Sequence, residues 1–333
     1  MRWRVRALEP MPDRYTRIPP FAQYIGTYLA IVALMFAVLM PVSDRARQAA
    51  MQNYLSMRRY ALETSAKALE RQLDGFRRIP LTMQHSSYYL VMRLLDREGL
   101  QIRHYYALSR LQNLYRLQCN QLELPVNGFL LFMRNDTVVA DERYYYEALD
   151  CFTKHLRYED MGAGQMLALC KEITVQQTFL PMQAVSVDGG PGKPYLTYLY
   201  QNQEESALYG MLLPAEALSS LFQLSDLPAG SDFVMETLDG KVLYDANVSV
   251  QGGARQDLVE MRADIFTARC RVILSIPRSY FEDMIRPVTS LNTLYATGAV
   301  AVGILLSLLF SLVNLRPLRK LLRIAAPGSG DGR

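Results

Sequence analysis

The stretch NGFLLFMRNDTVVADERYYY, residues 127–146, decides how the rest of this chain is interpreted. Its two apolar runs lie on either side of the polar residues RNDT at 134–137, and they are rich in the β-branched and aromatic residues that favour strands. Two such runs around a short polar turn predict a hairpin. The segments before Pro125 have the periodicity of helices, so the sequence predicts an α+β fold in which helices precede a sheet.

Three further strands and two short helices are predicted after this hairpin. Short amphipathic patterns predict helices at 152–160 (FTKHLRYED) and 164–173 (GQMLALCKEI). Strand-like runs follow at 178–187 (TFLPMQAVSV), 194–201 (PYLTYLYQ) and 206–214 (SALYGMLLP). The loop DGGPGK between the first two strands lacks the spacing of a phosphate-binding loop, so it is interpreted as a hairpin connection.

The pattern then begins again on a smaller scale. AEALSSLFQL at 215–224 predicts a short helix, and SDFVMETLDGKVLYDA at 231–246 predicts a second hairpin. Its Asp-Gly pair at 239–240 is typical of a type I′ turn, in which both central residues have positive φ. Two more strands are predicted at 255–266 and 268–277. The sequence therefore indicates two stacked modules of helix and sheet.

A long amphipathic helix is predicted before the first module. Four apolar residues recur every seven positions, with charged residues on the other faces: Leu55, Leu62, Leu69 and Phe76. The helix is expected to end before Pro80, because proline interrupts a helix. A second helical pattern follows and breaks at Gly99. The resulting boundaries are stalk helices at 44–104, a distal module at 105–214 and a proximal module at 215–286.

Two runs without a charged side chain flank these modules, at 18–43 and 287–315. A helix needs about 20 apolar residues to cross a bilayer, so both runs predict transmembrane helices. Two buried core helices are the alternative. The first run could also be a signal peptide, but its apolar part is longer than the roughly 7–15 residues typical of one. No small-x-small cleavage site follows it, so an uncleaved anchor is expected.

Charge is distributed unevenly along the chain, whose formal net charge is +4. Residues 1–17 carry +3 and residues 316–333 carry +4, which leaves −3 for the residues between them. Basic tails beside transmembrane helices are typical of cytoplasmic ends. The sequence thus predicts a plasma-membrane protein with both termini cytoplasmic and residues 44–286 extracellular. The acidic middle argues against nucleic acid as a partner, because no basic field remains to neutralise phosphates.

The order of these elements resembles the double Cache (dCache) sensor region of bacterial transmembrane receptors. The resemblance covers about residues 44–286, and order and spacing carry it rather than a strict motif. The segments that carry it are 124–145 for the distal hairpin, 207–222 for the strand and helix between the modules, 232–246 for the proximal hairpin and 270–281 for the last strand. A double Cache region has two PAS-like sheet modules on a long stalk helix.

The resemblance implies a small-molecule pocket in the distal module. The amine- and amino-acid-binding subset of the family holds its ligands with a Tyr, an Arg, a Trp-Tyr pair and acidic residues. This chain departs from that pattern, since its one tryptophan is Trp3 and RYYYEALDCF at 143–152 lacks the Arg-x-Trp-Tyr spacing. The amino-acid ligand class is therefore not supported.

Tyrosines and one arginine are the candidate ligand-binding residues where such a sensor lines its pocket: Arg134, Tyr144, Tyr145, Tyr195, Tyr198 and Tyr200. Tyrosine combines an apolar ring with a polar tip, and arginine binds carboxylates bidentately. Strand alternation places Tyr198 and Tyr200 on one face and Tyr195 and Thr197 on the other. Ordinary packing of a half-buried sheet is the alternative interpretation of the tyrosines.

Catalytic residues, metal ligands and a cofactor are not predicted. Cys151 and His155 are four residues apart, but two ligands without others nearby make a poor zinc site. No nucleophile elbow, His-Glu-x-x-His or Walker A motif is recognisable. The four cysteines, Cys119, Cys151, Cys170 and Cys270, are compatible either with one or two disulfides or with buried thiols.

The segment NLRPLRKLL at 314–322 resembles the connector just inside the membrane in sensor kinases and membrane-tethered AraC-type regulators. No kinase, cyclase or helix-turn-helix motif is recognisable in the chain. The sequence therefore predicts the input half of a signal-transduction receptor that senses a small molecule as a homodimer through the stalk helix. Its expected partner is a kinase or transcription regulator. The alternative is a two-span Cache adaptor that acts on a separate kinase or transporter, and an extracytoplasmic enzyme is disfavoured.

Overall fold

The computed structural model describes residues 20–173, 176–201, 206–247 and 258–325. The chain divides into two units, Tyr54–Tyr280 and a second one whose described residues are 20–53 and 281–325. The predicted basic tail at 1–17 lies outside the described residues, and so does the end of the predicted connector at 326–333.

Long helices form both ends of the described chain, with two shorter helices after the first: α1 Pro20–Gln84, α2 Ser87–Leu94, α3 Arg103–Cys119 and, at the C-terminal end, α7 Arg278–Ala325. The prediction that the first helix ends before Pro80 is wrong, because α1 continues to Gln84. Ile79, Pro80 and Met83 are buried, and this burial offsets the backbone hydrogen bond that proline cannot make.

Helices α1 and α7 cover the two runs predicted to cross a membrane, 18–43 and 287–315, apart from residues 18 and 19. Within the ranges that the structure describes, no helix combines the length and the apolar character needed to span a bilayer.

Seven antiparallel strands form the larger sheet, in the order β3–β2–β1–β7–β6–β5–β4. The hairpin predicted from 127–146 is confirmed, and its last tyrosines add a third short strand. The three strands predicted at 178–214 are also confirmed. The strands are β1 Asn127–Phe132, β2 Thr137–Ala140, β3 Tyr144–Tyr145, β4 Leu156–Tyr158, β5 Gln177–Val187, β6 Lys193–Gln201 and β7 Ala207–Pro214.

Four antiparallel strands form the smaller sheet, in the order β10–β11–β8–β9, and a short helix precedes them. In both sheets the first strand of the hairpin pairs with the last strand of the sheet, β1 with β7 and β8 with β11. The two sheets therefore share a strand order, apart from the extra edge strands of the larger one. The elements are α6 Ala215–Leu221, β8 Asp232–Thr237, β9 Val242–Asn247, β10 Leu258–Ile265 and β11 Cys270–Pro277.

The segment between β3 and β5 covers one face of the larger sheet. It contains the short helix α4 at Ala148–Asp150, a π-helical turn at Cys151–His155, strand β4, and helix α5 at Ala163–Glu172. The helix predicted at 152–160 is therefore only half right. Residues 156–158 instead pair with β5, because Leu156 and Tyr158 are both buried on alternating positions of a sheet edge.

Side chains and a glycine shape the two hairpin turns. In the turn RNDT, the buried Asn135 accepts hydrogen bonds from the backbone N–H and the hydroxyl of Thr137, at 3.0 and 2.6 Å. In the second hairpin only Gly240 has positive φ, whereas Asp239 does not. The Gly240 N–H donates to the Thr237 carbonyl, so the predicted type I′ turn is instead a type I turn followed by a glycine bulge.

The larger sheet separates two apolar layers. Helices α1, α2 and α3 cover one face, where Phe76 of α1 contacts Tyr198 with ring centroids 6.2 Å apart. Helices α4 and α5 cover the opposite, inner face, where Phe129 meets Phe152 edge to face at 5.4 Å. The inner layer is the one that positions the candidate site.

Candidate functional site

The candidate site lies where the two edges of the larger sheet approach one another. Strands β3 and β4 are at opposite ends of the strand order, yet Tyr145 of β3 stacks on His155, which directly precedes β4. Their ring centroids are 5.8 Å apart, with an interplanar angle of 29°. The sheet is therefore curled, and its inner face is enclosed by this contact together with α4 and α5.

His155 is the centre of this contact, and its side chain is 2% exposed. Its Nδ1 lies 2.7 Å from Oδ1 of Asp188, which belongs to the connection between β5 and β6. A carboxylate accepts the proton on Nδ1, and in the tautomer that carries this proton Nε2 is an acceptor. This Nε2 atom is buried, and no hydrogen-bond partner for it exists among the described residues.

Asp141 supplies a second buried oxygen without a hydrogen-bond partner, close to His155. It follows the last residue of β2, and its backbone N–H donates to the Gly128 carbonyl at 3.3 Å. Its Oδ1 is buried without a hydrogen-bond partner in the described part of the chain. Burial raises the pKa of this carboxyl, and the nearby His155 partly opposes the rise. Such a group gains free energy from a hydrogen-bond donor or a positive charge.

Electrostatics hold the third member, Asp188, in its charged form. Burial acts to raise the pKa of the Asp188 carboxyl, but the hydrogen bond from His155 and the charge of Arg143 together lower it below its ordinary value. Asp188 is therefore ionised at neutral pH. It fixes the orientation of the imidazole, so that Nε2 is directed away from Asp188.

The surroundings of these polar groups are predominantly apolar. This apolar layer also contains a polar pair, since the Tyr158 hydroxyl lies 3.1 Å from Oγ1 of Thr197. The buried apolar side chains of this layer include Phe129, Leu131, Val138, Cys151, Phe152, Leu156, Met166, Cys170, Leu199 and Leu212.

The same residues do not form an activated nucleophile. Cys151 precedes His155 by four residues, but burial raises the pKa of its thiol, so the thiolate is not populated at neutral pH. All four cysteines are buried free thiols, and burial raises the pKa of Cys119, Cys170 and Cys270 to about 12. The described residues hold no group of three side chains that could bind a metal ion.

Only two of the residues proposed from the sequence lie on the inner face. Tyr145 stacks on His155, and Tyr195 belongs to the inner apolar layer, where its hydroxyl accepts a hydrogen bond from Asn127 at 3.3 Å. Tyr144 contacts Tyr146 edge to face, with ring centroids 5.8 Å apart.

The other three proposed residues lie elsewhere. Tyr198 packs against Phe76 of α1, and the ring of Tyr200 lies 5.5 Å below the guanidinium of Arg77. Both therefore lie on the outer face, as strand alternation predicts. Arg134 is exposed in the first turn, with its Nε 3.6 Å from the carboxylate of Asp96.

The sequence alone does not group Asp141, His155 and Asp188 into one site. In the sequence, His155 suggests only a metal ligand paired with Cys151. Asp188 begins the loop DGGPGK, which was interpreted as a connection, and Asp141 directly follows a strand. A polar residue at a strand end is a usable signal, but only the curl of the sheet brings these three together.

No family model matches the chain, and no curated protein matches it. Three solved structures similar to it are sensory or extracellular domains. The extracellular domain of soHK1S-Z6, a proposed histidine kinase, has 10% identity over 71% of this chain and 98% of its own, with a TM-score of 0.46. The periplasmic sensory domain of the Campylobacter jejuni chemoreceptor Tlp1 has 10% identity over 70% and 98%, with a TM-score of 0.43. The sensor domain of the V. cholerae histidine kinase DctB has 11% identity over 69% and 98%, with a TM-score of 0.35.

Proposed function

We propose that this chain is the ligand-sensing part of a membrane-bound receptor, and that a small molecule binds inside the larger sheet at Asp141 and His155. The observation that carries the proposal is the pair of buried acceptors without partners, Nε2 of His155 and Oδ1 of Asp141. Leaving a buried polar group unsatisfied costs about 1–3 kcal/mol, so a ligand that satisfies both gains affinity. The sequence resemblance to double Cache sensors agrees with a ligand in this module.

The chemistry of the two atoms defines the ligand. Both accept hydrogen bonds when Asp141 is ionised, so the ligand presents two donors, such as hydroxyl, amide or amine groups. The stacked ring of Tyr145 and the apolar layer favour a compact ligand with an apolar portion. A buried water is the competing occupant, because it too can donate to both atoms. The proposal therefore requires saturable binding by a solute.

A thermal-shift screen of the purified full chain tests this function. Polyols, amides, amines and carboxylates are compared, and at a hundred times its Kd a true ligand stabilises the protein by about 2.7 kcal/mol. His155→Asn keeps a donor for Asp188 and removes the atom at the Nε2 position, so it should abolish the shift. Arg134→Gln, in the exposed turn, is the matched control and should respond like wild type. A hit that stabilises His155→Asn equally would contradict the site, and a library without hits would contradict the function.

Membrane attachment is a second part of the proposal. Its support is the absence of charge at 18–43 and 287–315, together with large apolar side chains that are exposed on both helices. Many large apolar side chains exposed on one helix are typical of membrane contact. These side chains include Ile31, Leu34, Met40, Val42, Leu294, Val302, Leu305 and Leu309, which are 56–69% exposed. The protein should stay in the membrane pellet after alkaline carbonate extraction, and its release would contradict this part.

A homodimer through α1 is the third part, and the structure limits which face is available. Leu62, Leu69 and Phe76 are buried within their own unit, so they do not face a second copy. Met57 and Tyr60 in the same helix are 64% and 72% exposed, so they offer apolar surface to a second copy. Tyr60→Cys should cross-link two chains in membranes, whereas Leu69→Cys should not. Equal cross-linking of both variants, or of neither, would contradict the dimer.

A further inference from the structure

A second depression lies on the outer face of the larger sheet, away from Asp141 and His155. It has a volume of about 380 Å³ and is formed by the last turns of α1 and the end of β6. Its lining combines two guanidinium groups, one carboxylate, one phenol and two apolar side chains: Asp74, Arg77, Arg78, Pro80, Leu81 and Tyr200.

Arg77 is held in place but is incompletely satisfied. Its guanidinium lies over the ring of Tyr200, 5.5 Å from the centroid, which fixes its position. Its Nη1 is 3.6 Å from Oδ1 of Asp74, longer than a good hydrogen bond. Its Nε is buried and has no hydrogen-bond partner within the described ranges. A buried donor on a cation attracts an anion that can accept from it.

Arg78 adds a second positive charge to the depression. Its side chain is exposed, and no ion pair to it exists within the described ranges. Two guanidinium groups against the single carboxylate of Asp74 give the depression a net positive charge. Pro80, Leu81 and the ring of Tyr200 form an apolar wall beside these charges.

We propose that this depression binds a small oxyanion, with its carboxylate or phosphate oxygens on Arg77 and Arg78 and any apolar part against Pro80 and Tyr200. Planar guanidinium groups hold both kinds of oxyanion bidentately. This site is additional to the ligand of the proposed function, since Tyr200 and Tyr195 lie on opposite faces of β6. An anion bound there would contact α1 directly and would be a second ligand of the protein.

Titration calorimetry on the full chain with benzoate and inorganic phosphate tests the proposal, with benzamide as the uncharged control. Saturable binding of either anion, but not of benzamide, is expected. Binding of benzoate alone would identify a carboxylate, binding of phosphate alone would identify a phosphate, and both outcomes support the oxyanion site. The absence of saturable binding by either anion would overturn it.

Variants locate the binding. Arg78→Gln and Arg77→Gln should each weaken the affinity for the anion by about tenfold or more. Arg77→Lys should weaken the affinity too, because lysine lacks the planar guanidinium that binds two oxygens at once. Arg71→Gln removes an exposed charge from the same helix and should leave affinity unchanged. Equal affinity of Arg78→Gln and Arg71→Gln would overturn the site, and Arg78 is exposed enough to be changed without unfolding. His155→Asn should bind the anion normally, so failure here is separate from failure of the sensor function.

Discussion

Gly210 lies directly opposite Phe129 in the register of β1 and β7, and the ring of Phe129 occupies the space where a Cβ would stand. Phe129 in turn packs against Phe152 in the inner layer. The absence of a side chain at 210 therefore lets an aromatic ring lie flat over the sheet, close to the candidate site.

Gly210→Ala should destabilise the protein by about 1–3 kcal/mol, the usual cost of overpacking a well-packed core. Chemical denaturation measures this change. Gly164→Ala is the control, because a Cβ there meets nothing within 4 Å in helix α5. It should stabilise by roughly 0.4–1 kcal/mol. A neutral Gly210→Ala would show that the ring of Phe129 can move aside freely.

Asp141 and Asp188 should respond to pH in opposite directions. The pKa of Asp141 is raised by burial, so its contribution to stability is present below its unfolded-state pKa and is lost as pH rises through the folded value. Asp141→Asn should therefore melt higher than wild type at neutral pH and lose that advantage in acid.

The reverse holds for Asp188. Although burial acts to raise its pKa, His155 and Arg143 lower it overall, so its stabilising contribution is present above the unfolded-state pKa and is lost as pH falls through the folded value. Asp188→Asn should melt lower than wild type at neutral pH, with a difference that shrinks in acid. Melting temperatures of the two variants and of wild type, measured from pH 3 to 8, test both predictions. A change of melting temperature with the same sign in both variants at neutral pH would contradict these assignments.

At the scale of elements, a chain of hydrogen bonds joins the two sheets to the long helix. Glu70 of α1 accepts from the backbone N–H and the hydroxyl of Thr267, at 2.9 and 3.0 Å. The Thr267 carbonyl accepts from the side chain of Gln177 in β5, whose Oε1 accepts from the hydroxyl of Tyr198 at 2.9 Å. A displacement of β5 or β6 would therefore be transmitted to the β10–β11 turn and to α1.

Removing the carboxylate of this junction should be costly. Glu70→Gln should destabilise by about 1–3 kcal/mol, because the amide oxygen accepts the two hydrogen bonds without the negative charge that strengthens them. A double-mutant cycle with Thr267→Val should give a coupling energy above about 0.5 kcal/mol. Glu63→Gln, which breaks only the exposed pair with Arg59, should cost less than about 0.5 kcal/mol. Additive effects of Glu70→Gln and Thr267→Val would contradict the junction.

Most elements of this fold could be predicted from local patterns, because apolar alternation and helical periodicity are short-range signals. The sequence predicts the hairpin at 127–146, strands β5 to β11 and helix α6 in this way. Strand β4 was missed, since a three-residue edge strand has too little alternation to be distinguished from the helical turn before it. Helix α1 was predicted too short because the burial of Ile79 and Met83 is a tertiary effect.

At the scale of the whole molecule, the candidate site depends on a feature that local patterns do not contain. The sheet places β3 and β4 at opposite ends of its strand order and still brings Tyr145 and His155 into contact. Tyr145 could be proposed from the sequence, but Asp141, His155 and Asp188 could not be grouped. The faces of Tyr198 and Tyr200 were predictable from alternation, whereas which face holds the site was not.

The most direct test of the ligand site is a ¹⁵N NMR measurement of the histidine side chains, of which the chain has three. His155 is identified by its loss in His155→Asn, and His104 serves as an internal reference because its Nδ1 accepts from the backbone N–H of Gln101. With a ligand from the screen, the Nε2 resonance of His155 should shift on accepting a hydrogen bond, while Nδ1, held by Asp188, should change little. Saturable ligand binding that leaves the His155 Nε2 resonance unchanged would contradict the account.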